Sequence, residues 1–305
     1  LKERMNRGFS YLKMDIGIWI SEEIDGGTIF PNDYHETEIQ EGSTGGSRKS
    51  MMIESQNIMH PFTGIQLTEK GIKEISKYVK IVRDIVGYEI PIATDHFGHI
   101  GLESCIRLGK ELDKYSLAWY EDMIPWQYTQ QWKKLKNSVN TPVCTGEDIY
   151  LLDGFKPLID NDAVSIIHPD LATSGGILET KRIGDYAQEN GIPTALHQAG
   201  SPVVAMANVH CAAATEGFIA LEMHSVDNPW WNDIVTLIGQ KGPMIKDGYI
   251  ELTNAPGLGI ELNEEAIKEH LAQLSSNSKF TIFPKGAFES TSDWDGLDSN
   301  DRTWS

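Results

Sequence analysis

Residues 142–150 read PVCTGEDIY: a short β-branched run with a cysteine, then Gly146, then two acids, Glu147 and Asp148. The run has the length and composition of a buried strand. Carboxylates are seldom buried unless something pairs them. A core strand that finishes on acids therefore needs a reason. Six other runs share the pattern: Tyr11–Asp15, Pro91–Asp95, Leu117–Glu121, Val164–His168, Pro193–His197 and Phe218–Glu222. Each is mainly apolar, strand-length and bounded by turn residues or polar groups.

The polar residues near the run ends are evenly spaced. From Asp95 to Glu121 is 26 residues, from Glu121 to Glu147 another 26, and from Glu147 to Asp170 23. From Asp170 to His197 is 27, and from His197 to Glu222 25. Helical patterns fill the gaps, with Leu102, Cys105, Ile106, Leu108 and Leu112 in one and Ile177, Leu178, Ile183, Tyr186 and Ala187 in another. A strand–helix repeat of this length is one βα unit. Seven such units with buried strands predict an α/β fold, a (β/α)8 TIM-type barrel rather than an open sheet. Functional groups of such a barrel sit where its strands end and the βα loops begin. The acids that close 142–150 fall at that position.

Seven strands are legible, so an eighth is expected upstream of Leu1. The barrel domain is expected over residues 1–240, with 241–305 as a C-terminal segment ending in a polar, acidic tail. The connection 18–65 is long and polar, with EGSTGGSRKS at 41–50. Loops of this length act as lids or subunit contacts, or are disordered.

The chain has 305 residues and a formal charge of −18, from 44 acids against 26 bases. Phosphate backbones and anionic membranes need a basic face, so nucleic acid and membrane are excluded as expected partners. An anionic small substrate is not, because one local cation outweighs a diffuse field. Cys105, Cys144 and Cys211 are odd in number and widely spaced, which reads as reduced thiols in a cytoplasmic protein. No CxxC pair offers a thiolate zinc site.

Asp95, Glu121 and Glu147 would converge from three adjacent strands. Three bare carboxylates cannot share one barrel mouth, since each raises the cost of ionising the next. A hard divalent cation removes that cost, and an oxygen-only ligand set suits Mg²⁺ or Mn²⁺. Asp122 and Asp148, each beside an expected ligand, should point the other way by strand alternation. One unit apart, Asp170 and His197 form a candidate dyad in which the carboxylate raises the imidazole's basicity. Glu222 would donate to a developing oxyanion if protonated and serve a structural end if ionised. Lys13 and Asp15 share one strand face, as a base or substrate-carboxylate clamp, or as an ion pair holding the first loop. Trp126, Trp230 and Trp231 follow strands and are candidates to line the pocket against a sugar face, or to pack helices.

The ordered set Lys13/Asp15, Asp95, Glu121, Glu147, Asp170, His197 and Glu222 resembles the mandelate racemase subgroup of the enolase superfamily, over Leu1 to roughly Glu265. The phrases GFSYLKMD, YED, TGED, HPDLATSGGI and ALHQAGSPV read like acid-sugar dehydratases. The resemblance implies a capping domain preceding the barrel, a homo-oligomer, and Mg²⁺-assisted abstraction of a proton α to a carboxylate. Asp15 stands where many members carry a second lysine, which weakens a two-base racemase or epimerase and favours a dehydratase with His197 as base. The expected substrate is a small sugar acid, aldonate or aldarate, lost to a 2-keto-3-deoxy acid. His96 and His99 are alternative acids and substrate contacts; Phe97 occupies the position where some relatives place a histidine. Alternatives are a cycloisomerase acting through the same enediolate and a non-catalytic metal-binding paralogue.

Overall fold

Each apolar run becomes a strand of one sheet. The computed structural model describes residues 1–16, 24–29, 66–95, 100–228 and 230–277. Its strands are β1 (Leu12–Asp15), β2 (Thr28–Ile29), β3 (Gln66–Leu67), β4 (Ile92–Asp95), β5 (Tyr120–Glu121) and β6 (Val143–Thr145). They continue as β7 (Ile166–Ile167), β8 (Thr194–Leu196), β9 (Phe218–Leu221), β10 (Val235–Leu237) and β11 (Ile260–Leu262). Seven of them form a sheet in the order β1-β4-β5-β6-β7-β8-β9. Every adjacent pair in it is parallel. Register places Asp15 opposite Asp95 and Glu121 opposite Cys144, and a further bridge joins Asp170 to His197. The strand ends therefore lie along one rim.

Helices cover the outer face, as a parallel sheet buried on both sides requires. They are α1 (Lys2–Asn6), α2 (Glu69–Val86), α3 (Leu102–Leu112), α4 (Thr129–Lys136) and α5 (Leu151–Asp160), then α6 (Leu171–Ser174), α7 (Gly176–Glu189), α8 (Pro202–Ala213) and α9 (Glu264–Asn277). The local logic is plain in α2. Thr68 caps its start by accepting from the Gly71 N–H at 3.1 Å, and Gly87 closes it at φ 77°. Ile72, Ile75, Val79, Val82 and Val86, spaced three and four apart, form its buried stripe. Each such side chain contributes about 1.5–3 kcal/mol on leaving water. The main core sets this stripe against Leu108, Leu112, Trp132, Phe155 and Ile183 from the neighbouring helices.

Arg83 is the charged residue buried beside that stripe, 2% exposed, with Ser76 a second polar one. Its guanidinium donates to the carbonyls of Tyr115 (3.0 Å), Gly87 (2.8 Å), Ile90 (3.1 Å) and Ser116 (2.9 Å). It thereby ties the loop before β4 to the loop before β5. Cys105, Cys144 and Cys211 are buried free thiols, and Cys105 Sγ lies 3.1 Å from the Met123 carbonyl. Burial pushes all three thiols up; for Cys144 the charges of Glu121 and Asp122 add to it.

Beyond the seven-stranded sheet, β10 pairs antiparallel with β11, on either side of residue 240. Neither strand is marked by periodicity in the sequence. Trp231, 1% exposed, sits under them with Met206, Val209 and Met244. Of the connection 18–65, only 24–29 lies among the described residues; there β2 pairs with β3. The tail from 278 lies outside them. Among the described residues no helix is long and apolar enough to cross a membrane.

Arg83→Lys retains the charge and loses the fork. We expect it to lower the unfolding free energy by about 2 kcal/mol or more, measured by urea titration, because buried carbonyls lose their donors.

Candidate active site

Residues i and i+2 on a strand share a face. One inward level is apolar: Ala93, Trp119, Cys144, Ile166 and Ala195 pack as a single cluster, joined by Tyr11, Ala118 and Ala220, so that every strand run contributes to it. Two residues further on stand Lys13, Asp95, Glu121, Gly146, His168, His197 and Glu222. An apolar floor thus carries a polar ring. Glycine fills the β6 seat because a side chain there has no room. At φ 147°, a Cβ on Gly146 would lie 2.8 Å from Phe155 and 3.1 Å from the His168 backbone. Glu147 is displayed one residue later.

Lys13 Nζ lies 2.7 Å from Asp95 Oδ2, 2.7 Å from Glu121 Oε1 and 2.9 Å from Glu222 Oε2. Burial alone would lower its pKa, but Glu121, Asp95 and Glu222 outweigh burial and raise it well above the ordinary lysine value. In this arrangement the cationic form of Lys13 is the favoured one. Burial would push Glu222 up; Lys13 and a hydrogen bond from His168 hold it well below the usual carboxylate range. Of the two states open to Glu222, the ionised one is favoured.

Asp122 departs from the expected outward orientation. Its carboxylate comes within 4.8 Å of oxygens of Asp95 and Glu121. Alternation assumes extended backbone, and Asp122 has a left-handed φ of 45°. Thr145 Oγ1 donates to its Oδ1 at 2.6 Å. Burial, then Glu121 and Asp95, push its pKa well above the carboxylate range. Asp148 is half-buried and outside that cluster. Burial, then the charges of Asp122 and Asp95, push Glu147 up to about 11. Its Oε2 is buried with no hydrogen-bond partner, 3.2 Å from His197 Nε2. The carboxylates of Asp95, Glu121 and Asp122 crowd closely enough to hold a divalent metal ion; Glu147, with its orphaned oxygen, stands outside that grouping.

His197 Nδ1 meets Asp170 Oδ2 at 2.7 Å. The other oxygen, Asp170 Oδ1, accepts from the Ala172 N–H at 2.6 Å at the start of α6, which fixes the carboxylate. Burial would lower the pKa of His197; the bond to Asp170 and the charge of Glu222 raise it above the ordinary histidine value.

His168 was not singled out from sequence, yet it belongs to the ring and is 2% exposed. Its Nε2 lies 3.3 Å from Glu222 Oε2 and 3.4 Å from Glu121 Oε1. Its signal was phase: it stands two residues after the inward Ile166. Asp15 is exposed and lines a cleft of about 450 Å³ with Lys13, Trp119, His168 and Glu222. Trp126 is partly buried and packs on the main core, one of the two roles the sequence left open. Trp231 donates to the Gly200 carbonyl at 3.2 Å within the second core, while Trp230 is 36% exposed. His96 and His99 lie outside the described residues.

Residues 2–266 match the family model described as enolase C-terminal domain-like. The chain belongs to the enolase superfamily. Within that superfamily it is of the mandelate racemase subgroup: a solved mandelate racemase/muconate lactonizing enzyme-like protein from Rubrobacter xylanophilus matches it at TM-score 0.71 and 31% identity, over 88% of this chain and 59% of that one. A D-xylonate dehydratase of Haloferax volcanii is 36% identical over 196 residues, 64% of this chain and 46% of that protein. A D-galactonate dehydratase family member of Pantoea ananatis is 26% identical over 273 residues, 86% of this chain and 60% of that protein. The chain spans about half of the lengths of these curated relatives.

Two outcomes follow for this enolase-superfamily site. Gly146→Ala should destabilise the fold by more than about 1 kcal/mol, read as a lowered urea midpoint, because it forces a Cβ onto the Phe155 ring and the His168 backbone. The second concerns pH. His197 has its folded pKa above the unfolded value of 6.5, so its pairing stabilises the protein below that pH and the gain is lost as pH rises through the raised value. In EDTA-treated protein, Asp170→Asn should therefore lower Tm more at about pH 5 than at about pH 9.

Proposed function

We propose that this chain carries the reacting groups of a Mg²⁺-dependent dehydratase of sugar acids. The observation that carries the reading is the His197–Asp170 dyad, 2.7 Å between Nδ1 and Oδ2, with Nε2 3.2 Å from Glu147 Oε2. A base, a carboxylate that orients it and a cation site then meet at one rim. Asp95, Glu121 and Glu147 are the proposed ligands of Mg²⁺, with Mn²⁺ as substitute, and Asp122 stands within reach of the first two. When bound, Mg²⁺ supplies a hold on the substrate carboxylate and offsets the charge that develops there as the α-proton leaves.

His197 Nε2 removes the proton from C2 of a 2,3-dihydroxy acid. Asp170 keeps the Nδ1 proton in place, so Nε2 is the free lone pair. Glu222 Oε2, 3.7 Å from Nε2, favours the imidazolium so formed. The C3–O bond then breaks; the hydroxyl takes a proton and departs as water. His197 itself can return that proton. The resulting enol tautomerises to a 2-keto-3-deoxy acid. Lys13, held by three carboxylates, keeps Glu121 and Glu222 in position rather than exchanging protons with substrate. The names of the dehydratases from Haloferax volcanii and Pantoea ananatis support a sugar-acid substrate.

The test is a panel of aldonic and aldaric acids incubated with Mg²⁺ and followed by NMR and mass. Dehydration lowers the product mass by one water, whereas an isomerase leaves it unchanged. Glu147→Gln should weaken Mg²⁺ binding by at least about 10-fold. His197→Asn should retain Mg²⁺ binding while losing exchange of the α-hydrogen with D₂O. Exchange at the parental rate in that variant would refute His197 as the base.

A further inference from the structure

The polar ring contains one histidine for which the proposed reaction has no task. His168 sits between the ion cluster and the base. Its imidazole meets His197 edge-on, with ring centroids 5.7 Å apart, and lies 6.0 Å from the Trp119 ring. A buried imidazole normally uses both nitrogens, and this one does not. Nδ1 is buried without a hydrogen-bond partner, whereas Nε2 faces two carboxylates. A proton on Nδ1 would be stranded, so the network assigns it to Nε2, which donates to Glu222.

Glu222 lies just past the end of β9, where no neighbouring strand on its far side restrains it among the described residues. A glutamate has three side-chain torsions, and ordering them in one position needs more than one contact. Two donors converge on its Oε2: Lys13 Nζ at 2.9 Å, from the first strand of the sheet, and His168 Nε2 at 3.3 Å, from β7. Lys13 alone is a rotatable point donor shared with Asp95 and Glu121. His168 is rigid, fully packed and shared only with Glu121. It is the contact that can set an angle.

We propose that His168 is a positioning residue for Glu222, keeping its carboxylate turned toward His197 and away from the cation site. Glu121 makes this separation necessary. Its Oε1 touches both Lys13 and His168, and two metal-sized groupings share Glu121: one with Asp95 and Asp122, the other with His168 and Glu222. Donation from His168 spends the Glu222 oxygen that would otherwise turn into the first grouping. The reacting site is thereby divided into a cation side and a base side. This role rests on the dehydratase reading, in which Glu222 must face the base.

The test compares His168→Phe, which fills the seat without a donor, with His168→Gln, whose amide reaches the place of Nε2. Crystal structures of the parent and both variants, grown with Mg²⁺ alone, give a readout free of substrate. In His168→Phe the Glu222 carboxylate should move by more than about 0.5 Å, the tolerance within which such groups must be held; in His168→Gln it should stay. On a sugar acid turned over by the parent, His168→Phe should lower kcat by about 100-fold with KM little changed. His168→Gln should recover at least about 10-fold of that loss. An unmoved Glu222 in His168→Phe overturns the proposal, whether or not any acid is dehydrated. Equal loss of kcat in both variants does so too, since that marks a role in packing alone. Should His168→Phe not fold, His168→Asn, with a donor too short to reach, takes its place under the same criteria. Absence of turnover in the parent would instead refute the dehydratase reading and leave the Glu222 comparison to decide this one.

Discussion

A single ammonium group holds the site together. Lys13 leaves the first strand of the sheet and binds carboxylates from the second strand in order, the third and the last, through Asp95, Glu121 and Glu222. β1 and β9 are not hydrogen-bonded neighbours among the described residues, so this ion cluster is where their ends meet. Burying an ammonium alone costs several kcal/mol, and burying three carboxylates alone costs more. Each half is tolerable only with the other. The balance is still negative, because one positive charge faces three. The surplus is felt at Glu147 and Asp122, whose carboxyls are pushed toward protonation by burial and by their neighbours. A doubly charged cation relieves that surplus.

Below the ions, the floor does more than fill space. Trp119 belongs to the apolar level, yet its Nε1 donates to Glu121 Oε2 at 2.7 Å, and Tyr11 stacks on its ring at 5.0 Å. The central carboxylate is therefore gripped from beneath by an indole and from the side by Lys13. Side chains so fixed lose little entropy when a ligand arrives, which is how a rigid barrel mouth prepares for chemistry.

Much of this was legible because strand geometry leaves a strict mark. Seven apolar runs became seven parallel strands, and Asp95, Glu121, Asp170, His197 and Glu222 came to one rim. Period two also held the information about His168, which closes its own run, but the spacing of the polar residues was counted through Asp170 of HPD, two places later. Asp122 was illegible for a different reason: one left-handed dihedral reverses a side chain, and although aspartate enters that region more readily than most residues, nothing in the sequence marks which one does. Trp126 was left with two readings because an aromatic beside a site looks the same in sequence whether it faces substrate or core. The β10–β11 pair was missed since three-residue strands far apart in sequence carry almost no periodicity.

The cysteines have a practical corollary. All three are buried, one in the barrel floor and two among the helices, and all are held in the thiol form. Alkylating reagents attack thiolates that solvent can reach. Modification of Cys144 must therefore wait until the floor itself is breached, while Cys105 and Cys211 await only the loosening of α3 or α8. The chain carries three native clocks, set at different depths, that time how its layers come apart.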